Sequence, residues 1–453
     1  MTYIPNTDDD RRRMLAKIGV GKIDDLLRPI PEKLQLKTLL DLPESVSEMD
    51  LIREIEGISN ENKTGLTLFA GGGVYDHFIP TAVETITSRP EFVTAYTPYQ
   101  AEVSQGTLQV IYEFQTHICR LTGMDAANAS MYDGASAAAE AASLSLGKTR
   151  RSKIVVSETV NPLFREVIAT YLSGRGVEIM VVPHNGGVTD LNKLEDAVDE
   201  NTACVILAQP NFFGLLEDIE AASDIVHKVK GYMVAAVDPV AAAILKTPAE
   251  CGADIVVGEG QPLGIPLNFG GPLLGFFAVK QELVRYLPGR LAARTVDEDG
   301  NPGFVLTLQT REQHIRRDKA TSNICTNQAL CATMATVYMS LMGRKGLRQV
   351  ALLSMEKARR AADKLFGLQA FEPFFEGDFV REFVVRTPIP AKEIIEKTVA
   401  DKSILPGVNL GRFYNGMDNA LLVACTEKRT TAEIEALGDA LGEFSTDAVL
   451  SKM

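Results

Sequence analysis

The sequence predicts an α/β protein, with a large domain built on a mostly parallel sheet and a small α+β domain after it. Two observations predict this fold class. The middle of the chain alternates short β-branched runs with helical patterns, and this alternation changes character after about residue 345. Short apolar runs separated by helices are typical of a parallel sheet that is covered on both faces.

The runs that predict the large sheet are rich in valine, isoleucine and alanine. They lie at residues 153–156, 178–182, 203–208, 233–237, 254–257 and 275–279. Helical patterns separate some of them, at residues 161–173 and 218–230. Strands that alternate with helices in this way predict a parallel sheet.

The two ends of the chain have different patterns. Residues 6–8 can cap a first helix that runs to Ala16, and a helix over 106–122 is expected to end at Gly123. The tail predicts a helix at 346–366, a strand at 382–385, a helix at 391–399, a strand at 419–425 and a helix at 430–442. We therefore expect a helical segment at 1–65, a large α/β domain at 66–344 and a small α+β domain at 345–453.

Composition excludes several classes of function. Of the 453 residues, 45% are apolar and 23% charged, as in an ordinary globular enzyme. The net charge of −13 argues against an electrostatic grip on nucleic acid or on an anionic membrane. No apolar run is long enough to span a membrane, and the six cysteines form no CxxC pair. We expect a cytoplasmic protein with reduced thiols.

The most informative segment runs from residue 233 to residue 279. One predicted strand ends in Asp238, and the next leads into Gly258-Glu259-Gly260-Gln261. This arrangement resembles the aspartate-aminotransferase-like fold (fold type I) of pyridoxal-phosphate enzymes. There, an aspartate at a strand end pairs with the protonated pyridine nitrogen, and a lysine after a later strand binds the cofactor. Many α/β proteins have an aspartate at a strand end, so Asp238 alone does not identify a site.

The lysine that this fold requires is missing. Gln261 occupies its expected position, and an amide cannot form the covalent link to the cofactor. Lys246 comes before the strand that leads to Gln261, and Lys280 comes at the far end of the following strand. Neither lysine is placed to replace it.

Longer segments identify a family. Residues 96–106 (YTPYQAEVSQG) resemble the TPYQPExSQG block of the glycine decarboxylase P-protein family. Further matching segments are residues 127–134 (ANASMYDG), 252–272 (from GADI to FGGP), 287–290 (LPGR) and 309–324 (QTREQHIRRDKATSNI). The resemblance covers nearly the whole chain, and the last segment is the most specific. It implies a mostly parallel, seven-stranded large domain.

Some members of this family are one long chain with two related halves, and others divide the halves between two chains. The length of this chain and Gln261 make it similar to the half that lacks the lysine. The resemblance implies a homologous lysine-bearing partner, subunit 2, in an α2β2 assembly, with pyridoxal phosphate bound by that partner. It further implies that the assembly decarboxylates glycine, releases CO2 and passes the aminomethyl group to the lipoyl arm of the H-protein.

The resemblance also implies roles for individual residues. The chain alone is expected to hold no catalytic residue and no metal, and Ser136 and Asp238 are expected to be vestiges of a cofactor pocket. Residues expected to reach the partner's pocket are Tyr96, Tyr99, Gln100, Thr321, Ser322 and Asn323.

Each of these residues also has a structural interpretation. Ser136 follows Gly134 at the start of an alanine-rich helix, where a helix cap is favoured over an anion site. Ser322 and Asn323 are expected to begin a helix and could simply cap it. The loop at 96–100 could pack at a subunit interface or form a wall of the partner's active site. The glycines at 71–73 form either a flexible turn or an anion-binding nest.

Two rival functions remain. One is a self-sufficient pyridoxal-phosphate enzyme of the desulfurase or decarboxylase kind, against which Gln261 counts strongly. The other is a scaffold or regulatory paralogue that has no catalytic partner. Copurification with a lysine-bearing chain would distinguish the second rival from the glycine decarboxylase subunit.

Overall fold

Helices and strands alternate along most of this chain, which a computed structural model describes over residues 5–36, 38 and 40–450, the last five by their backbone alone. In chain order the helices are α1 Asp8–Ile18, α2 Glu48–Asn60, α3 Thr81–Thr87, α4 Pro90–Val93, α5 Gln105–Thr122, α6 Gly134–Thr149, α7 Pro162–Leu172, α8 Leu191–Ala197, α9 Ile219–Lys228, α10 Gln313–Arg316, α11 Ala329–Phe366, α12 Ala391–Lys402 and α13 Thr431–Leu450. Within these described ranges no helix has the length and apolar character needed to cross a membrane.

The chain divides into two compact units, Met1–Thr64 and Gly65–Met453. In the first unit, the Thr7 hydroxyl accepts a hydrogen bond from the Asp10 amide at the start of α1, and a left-handed Gly19 ends the helix. Neither α1 nor α2 buries a residue. The boundaries expected at residues 65 and 345 stay predictions.

The second unit is built around a seven-stranded sheet, which confirms the predicted fold class. Its strands are β1 Ala126–Ala127, β2 Lys153–Ser157, β3 Glu178–Val182, β4 Thr202–Gln209, β5 Tyr232–Val237, β6 Ile255–Glu259 and β7 Gly275–Val279. Their order in the sheet is β1-β7-β6-β5-β4-β2-β3. The five strands from β6 to β3 pair in parallel, whereas β7 is antiparallel to both β6 and β1.

Successive residues of the central strands face two different apolar clusters. In β4, Val205 and Leu207 pack into one cluster, while Cys204 and Ile206 pack into the other. A strand's side chains alternate between the two faces of the sheet, so these clusters lie on opposite faces. This explains why the strands read as continuous apolar runs in the sequence.

Helix α6 lies directly against this sheet. Every residue from Gly134 to Leu146 is buried. Its alanines and serines are small enough to let α6 pack closely on both the sheet and its neighbours. The helix thus begins beside the carboxyl end of β6, because a Cβ added at Gly134 would meet the backbone nitrogen of Glu259 at 2.9 Å.

The C-terminal part contains the predicted helices and strands, with one clear difference. Helix α11 begins at Ala329 rather than near residue 346, and its backbone is non-helical at Gly343. A four-stranded sheet follows, and its order is β8-β9-β11-β10. Its strands are β8 Glu372–Pro373, β9 Glu382–Arg386, β10 Val408–Asn409 and β11 Ala420–Ala424.

Candidate functional site

A cavity lies at the carboxyl ends of β5 and β6, where ligands bind in parallel α/β sheets. Its volume is about 670 Å3, part of which is open to solvent. Asp238 follows β5 and Glu259 ends β6, and both line the cavity. Other lining residues are Gly72, Asn161, Phe164, Phe212, Arg381 and Glu382.

Gln261 is buried beside this cavity, and both polar atoms of its side-chain amide make hydrogen bonds. Its Oε1 accepts a hydrogen bond from the Tyr75 amide at 2.8 Å. Its Nε2 donates to the Tyr75 carbonyl at 3.1 Å and to the Ile265 carbonyl at 2.8 Å. Gln261 therefore ties the segment after β6 to the loop that contains Tyr75.

Asp238 pairs with an arginine from the C-terminal part of the chain. Arg381 Nη2 lies 2.5 Å from Asp238 Oδ2, and the guanidinium carbon lies 3.4 Å from the centroid of the Tyr75 ring. Arg381 is only 2% exposed, and its Nη1 also contacts His77. A buried arginine therefore neutralises the aspartate that the sequence singled out.

The carboxylate of Glu259 lies at the N-terminus of α6. Its Oε2 accepts a hydrogen bond from the Gly134 amide, and its Oε1 accepts from the amides of Gln261 and Leu274, each at 2.9 Å. Burial raises the pKa of Glu259 to about 7, and these three amides oppose the rise. A side chain of this chain thus uses the anion-binding end of the helix.

Ser136 is not the N-cap of α6, so that interpretation was wrong. Asp133 is the N-cap: its Oδ1 accepts a hydrogen bond from the Ser136 amide at 2.6 Å. Ser136 is the third residue of the helix, and its hydroxyl accepts from the Asp133 amide at 3.2 Å. The two residues form a capping box, a motif in which Ser136 takes the position more often held by glutamate.

The loop of glycines at 71–73 contacts the carboxyl group of Glu382, whose pKa is raised by burial. The Gly72 amide donates to Glu382 Oε1 and the Tyr75 hydroxyl donates to Glu382 Oε2, both at 2.7 Å. Gly71 leaves no room for a side chain, because an added Cβ would lie 2.3 Å from Glu382. The loop is therefore fixed by a carboxylate of β9.

A second group of residues surrounds the buried side chain of Arg290. Its Nη1 lies 3.5 Å from the Thr97 hydroxyl, its Nη2 lies 3.8 Å from the Cys325 sulfur, and its guanidinium carbon lies 5.4 Å from the Tyr99 ring centroid. The Arg290 surface is defined here as Tyr96, Thr97, Tyr99, Gln100, Arg290 and residues 321–326. Tyr96 and Tyr99 are 73% and 66% exposed.

The segment 321–323 does not begin a helix, so that prediction was wrong. Helix α11 starts at Ala329. The Ser322 hydroxyl accepts a hydrogen bond from the Ile324 amide at 3.1 Å, and such local bonds compete with helix formation. Thr321 and Asn323 are exposed, whereas Ser322 is half-buried.

Helix α6 connects the cavity with the Arg290 surface. Its N-terminus donates to Glu259, and its Glu140 lies close enough to Ser322 for the serine to lower the pKa of the carboxyl. Burial raises the pKa of Glu140 to about 7, while Ser322 and the charge of Arg175 oppose the rise. The two groups of predicted residues are thus joined by one buried helix.

The fold and the two strand-end positions define the class of the protein. This is the fold-type-I, aspartate-aminotransferase-like fold of pyridoxal-phosphate enzymes. A distant example with the same fold is glutamate decarboxylase from Lactobacillus brevis, with a TM-score of 0.67 and 13% identity over 95% of this chain and 97% of that one.

The chain belongs to the glycine cleavage system P-protein family, whose sequence profile matches residues 1–441. It is 50% identical over 444 residues to "Probable glycine dehydrogenase (decarboxylating) subunit 1" of Carboxydothermus hydrogenoformans, which covers 98% of this chain and 99% of that protein. A crystal structure of glycine decarboxylase (P-protein) of the glycine cleavage system, in inhibitor-bound form, matches with a TM-score of 0.88 and 40% identity over 98% of this chain and 100% of that one. These similarities confirm the family predicted from the sequence.

The cavity of this chain does not fit pyridoxal phosphate. No lysine is among its lining residues in the described part of the chain. Lys246 instead pairs with Glu220 and Lys280 with Asp254, both at 2.8 Å or less. The aspartate position is occupied by a guanidinium, and the helix N-terminus by a carboxylate.

The sequence did not reveal the residues that pair with Asp238 and with the glycine loop in the cavity. Arg381 and Glu382 precede and begin β9, and nothing near them in the sequence signals a partner about 300 residues away. Arg290 was visible only as the last residue of the LPGR segment. Glu259 stood within the informative segment but was interpreted as part of a loop before Gln261.

Glu140 gives a pH-dependent prediction. A carboxyl whose pKa rises from 4.5 to about 7 on folding contributes stability that is complete below about pH 4.5 and is lost as the pH rises through 7. We expect Glu140→Gln to stay within about 1 kcal/mol of the wild type at pH 5 and to exceed its free energy of unfolding at pH 8 by on the order of 3 kcal/mol. Urea unfolding at both pH values measures this.

The matched control for Glu140 is Glu166→Gln, a substitution at an exposed position of α7. Its free energy of unfolding should differ from that of the wild type by the same small amount at both pH values. A Glu140→Gln effect that does not change between pH 5 and pH 8 would contradict the prediction.

Proposed function

We propose that this chain is the lysine-lacking subunit of a glycine decarboxylase that is active only together with a lysine-bearing partner, subunit 2. The observation that carries the proposal is the family match over residues 1–441 in a chain whose lysine position holds a fully hydrogen-bonded Gln261. A chain with glutamine at this position cannot bind the cofactor covalently, so its proposed role is to support a partner that does.

The proposed assembly is an α2β2 complex in the cytoplasm, consistent with six free thiols in this chain. It takes glycine, releases CO2 and passes the remaining aminomethyl group to the lipoyl arm of the H-protein. Pyridoxal phosphate, bound to the partner, supplies the electron sink for the loss of the carboxylate. The proposed role of this chain's residues is to help bind and orient the substrate in the partner's pocket and to shield it from water.

The Arg290 surface is the proposed contribution to the partner's pocket. Tyr99, Gln100, Thr321 and Asn323 are exposed, and their side chains make no hydrogen bond among the described residues. The Tyr99 ring lies over the buried guanidinium of Arg290, which also contacts the Cys325 sulfur. Hydroxyl and amide groups that are supported by buried residues are suited to hydrogen bonding with a phosphate or carboxylate of a neighbouring chain.

A buried cluster of opposite charges lies next to this surface and includes Arg290, Arg311 and Glu312. Arg311 Nε and Nη2 and Glu312 Oε1 are buried and make no hydrogen bond within the described chain. Arg290 Nε lies 3.9 Å from Glu312, too far for a hydrogen bond. The positive charges of Arg290 and Arg311 oppose the rise that burial causes in the pKa of Glu312, so the charges of this cluster compensate one another within the chain.

Co-expression with the lysine-bearing chain tests the function. We expect glycine-dependent exchange of labelled CO2 only when both chains are present, and an α2β2 mass by light scattering. The lysine-bearing chain alone, assayed at the same cofactor concentration, is the control. If it exchanges CO2 as fast as the mixture, this chain is not part of the catalytic unit.

A further inference from the structure

We propose that Arg381 and Glu259 are internal replacements for the two charged ends of pyridoxal phosphate, and that they keep the cofactor out of this subunit's own pocket. The proposal rests on the proposed function and deepens it, since it assigns a role to a pocket that the reaction does not use. Three positions in the cavity carry it, and each corresponds to one group that a fold-type-I enzyme must hold.

The first position is that of the ring. In this fold an aspartate at a strand end pairs with the positively charged ring nitrogen. Here the partner of Asp238 is Arg381, which is also planar and positive, with Nη2 at 2.5 Å. The guanidinium lies against the Tyr75 ring, with 3.4 Å between its carbon and the ring centroid. A flat cation between an aspartate and an aromatic ring reproduces the electrostatic environment of a pyridinium.

The second position is that of the phosphate. Helix N-termini bind phosphate through backbone amides and the helix dipole. At α6 the Gly134 amide donates instead to Glu259 Oε2, at 2.9 Å. Glu259 cannot move away freely, because the amides of Gln261 and Leu274 hold its other oxygen. A phosphate placed here would meet a carboxylate across a very short distance.

The third position is that of the lysine. The Gln261 amide forms a two-way hydrogen-bond pair with the backbone of Tyr75, the residue whose ring stacks on Arg381. The Tyr75 hydroxyl in turn donates to Glu382, the residue after Arg381. The three replacements therefore form one network, which joins segments 307 residues apart and brings the strand ends, the glycine loop and β9 together.

Binding of pyridoxine 5′-phosphate to the full-length wild-type chain tests the proposal. This compound has the ring and phosphate of the cofactor but no aldehyde, so it does not need the lysine. Calorimetric titration should detect no binding up to millimolar concentration. Micromolar binding would show that the ring and phosphate positions are open, and would overturn the proposal. The assay contains no partner, so its outcome is independent of whether the assembly decarboxylates glycine.

A variant series on the same chain locates the obstacle. Each variant is incubated with pyridoxal phosphate, reduced with borohydride and mapped by mass spectrometry. Gln261→Lys should acquire only a trace of the phosphopyridoxyl group on the introduced lysine. The triple variant Gln261→Lys/Glu259→Ala/Arg381→Met should acquire one, in at least tenfold higher yield. A stoichiometric adduct in Gln261→Lys, or a folded triple variant with none, contradicts the proposal; if the triple variant does not fold, the titration of the wild type decides.

Discussion

The Arg381→Leu variant should have a free energy of unfolding about 3–5 kcal/mol below that of the wild-type chain. The substitution removes the partner of Asp238, whose side chain is 12% exposed, and leaves its carboxylate nearly buried without a counter-charge. It also removes the cation that stacks on Tyr75 and contacts His77. Urea unfolding of the purified chain, followed by circular dichroism, measures the difference.

Arg359→Leu is the matched control. Arg359 also pairs with an aspartate, Asp378 at 3.3 Å, and also lies over an aromatic ring, that of Phe379. Its side chain is 50% exposed, so its loss should cost about 1 kcal/mol or less. Adding Asp238→Asn to Arg381→Leu should recover part of the lost stability, because no buried charge then remains unpaired. Equal losses in the two single arginine variants would refute the buried-pair explanation.

The same arginine shows where prediction from sequence ends. The register of two strands was enough to identify Asp238 and Gln261, because an apolar run and the turn after it fix which residue stands at a strand end. No pattern in the neighbouring sequence could identify Arg381, because its position against Asp238 depends on how the C-terminal part packs on the large sheet. The sequence therefore identified Asp238 but not the residue that pairs with it.

The second large effect is expected across the subunit interface. In the assembled complex, Asn323→Ala should weaken the partner's affinity for pyridoxal phosphate by about ten- to a hundredfold, the loss of one hydrogen bond to a charged group. Asn323 is exposed and makes no hydrogen bond within the described chain, so the substitution should not disturb this subunit itself. Equilibrium dialysis of the complex against the cofactor measures the affinity.

Asn192→Ala serves as the control for Asn323, since Asn192 is an exposed asparagine on α8. Both variants must elute as the assembled complex on gel filtration. Tyr99→Phe should mainly lower turnover, while Ser322→Ala should act indirectly through Glu140 and Ile324, which its hydroxyl already contacts. If Asn323→Ala assembles and matches Asn192→Ala in both cofactor affinity and rate, the Arg290 surface is scaffold alone.

The prediction of helix ends and short strands failed where local chemistry overrode the pattern. Residues 322–324 form a side-chain turn instead of a helix start. Strand β1 consists of Ala126 and Ala127, which have no β-branched signal and become a strand only by pairing with β7. The long apolar strands were predictable because both of their faces are buried. Each therefore appears in the sequence as a continuous run of apolar residues.

Helix α6 has a consequence for how this subunit can evolve. One end of it is anchored in the cavity, where the Gly134 amide donates to Glu259, and Glu140, two turns further on, lies beside Ser322. A substitution at Glu259 or Gly134 would shift the helix and so reach the outer surface. Under the proposed function, selection on the turnover of the assembly would therefore also act on Glu259 and Gly134, although neither residue contacts the substrate.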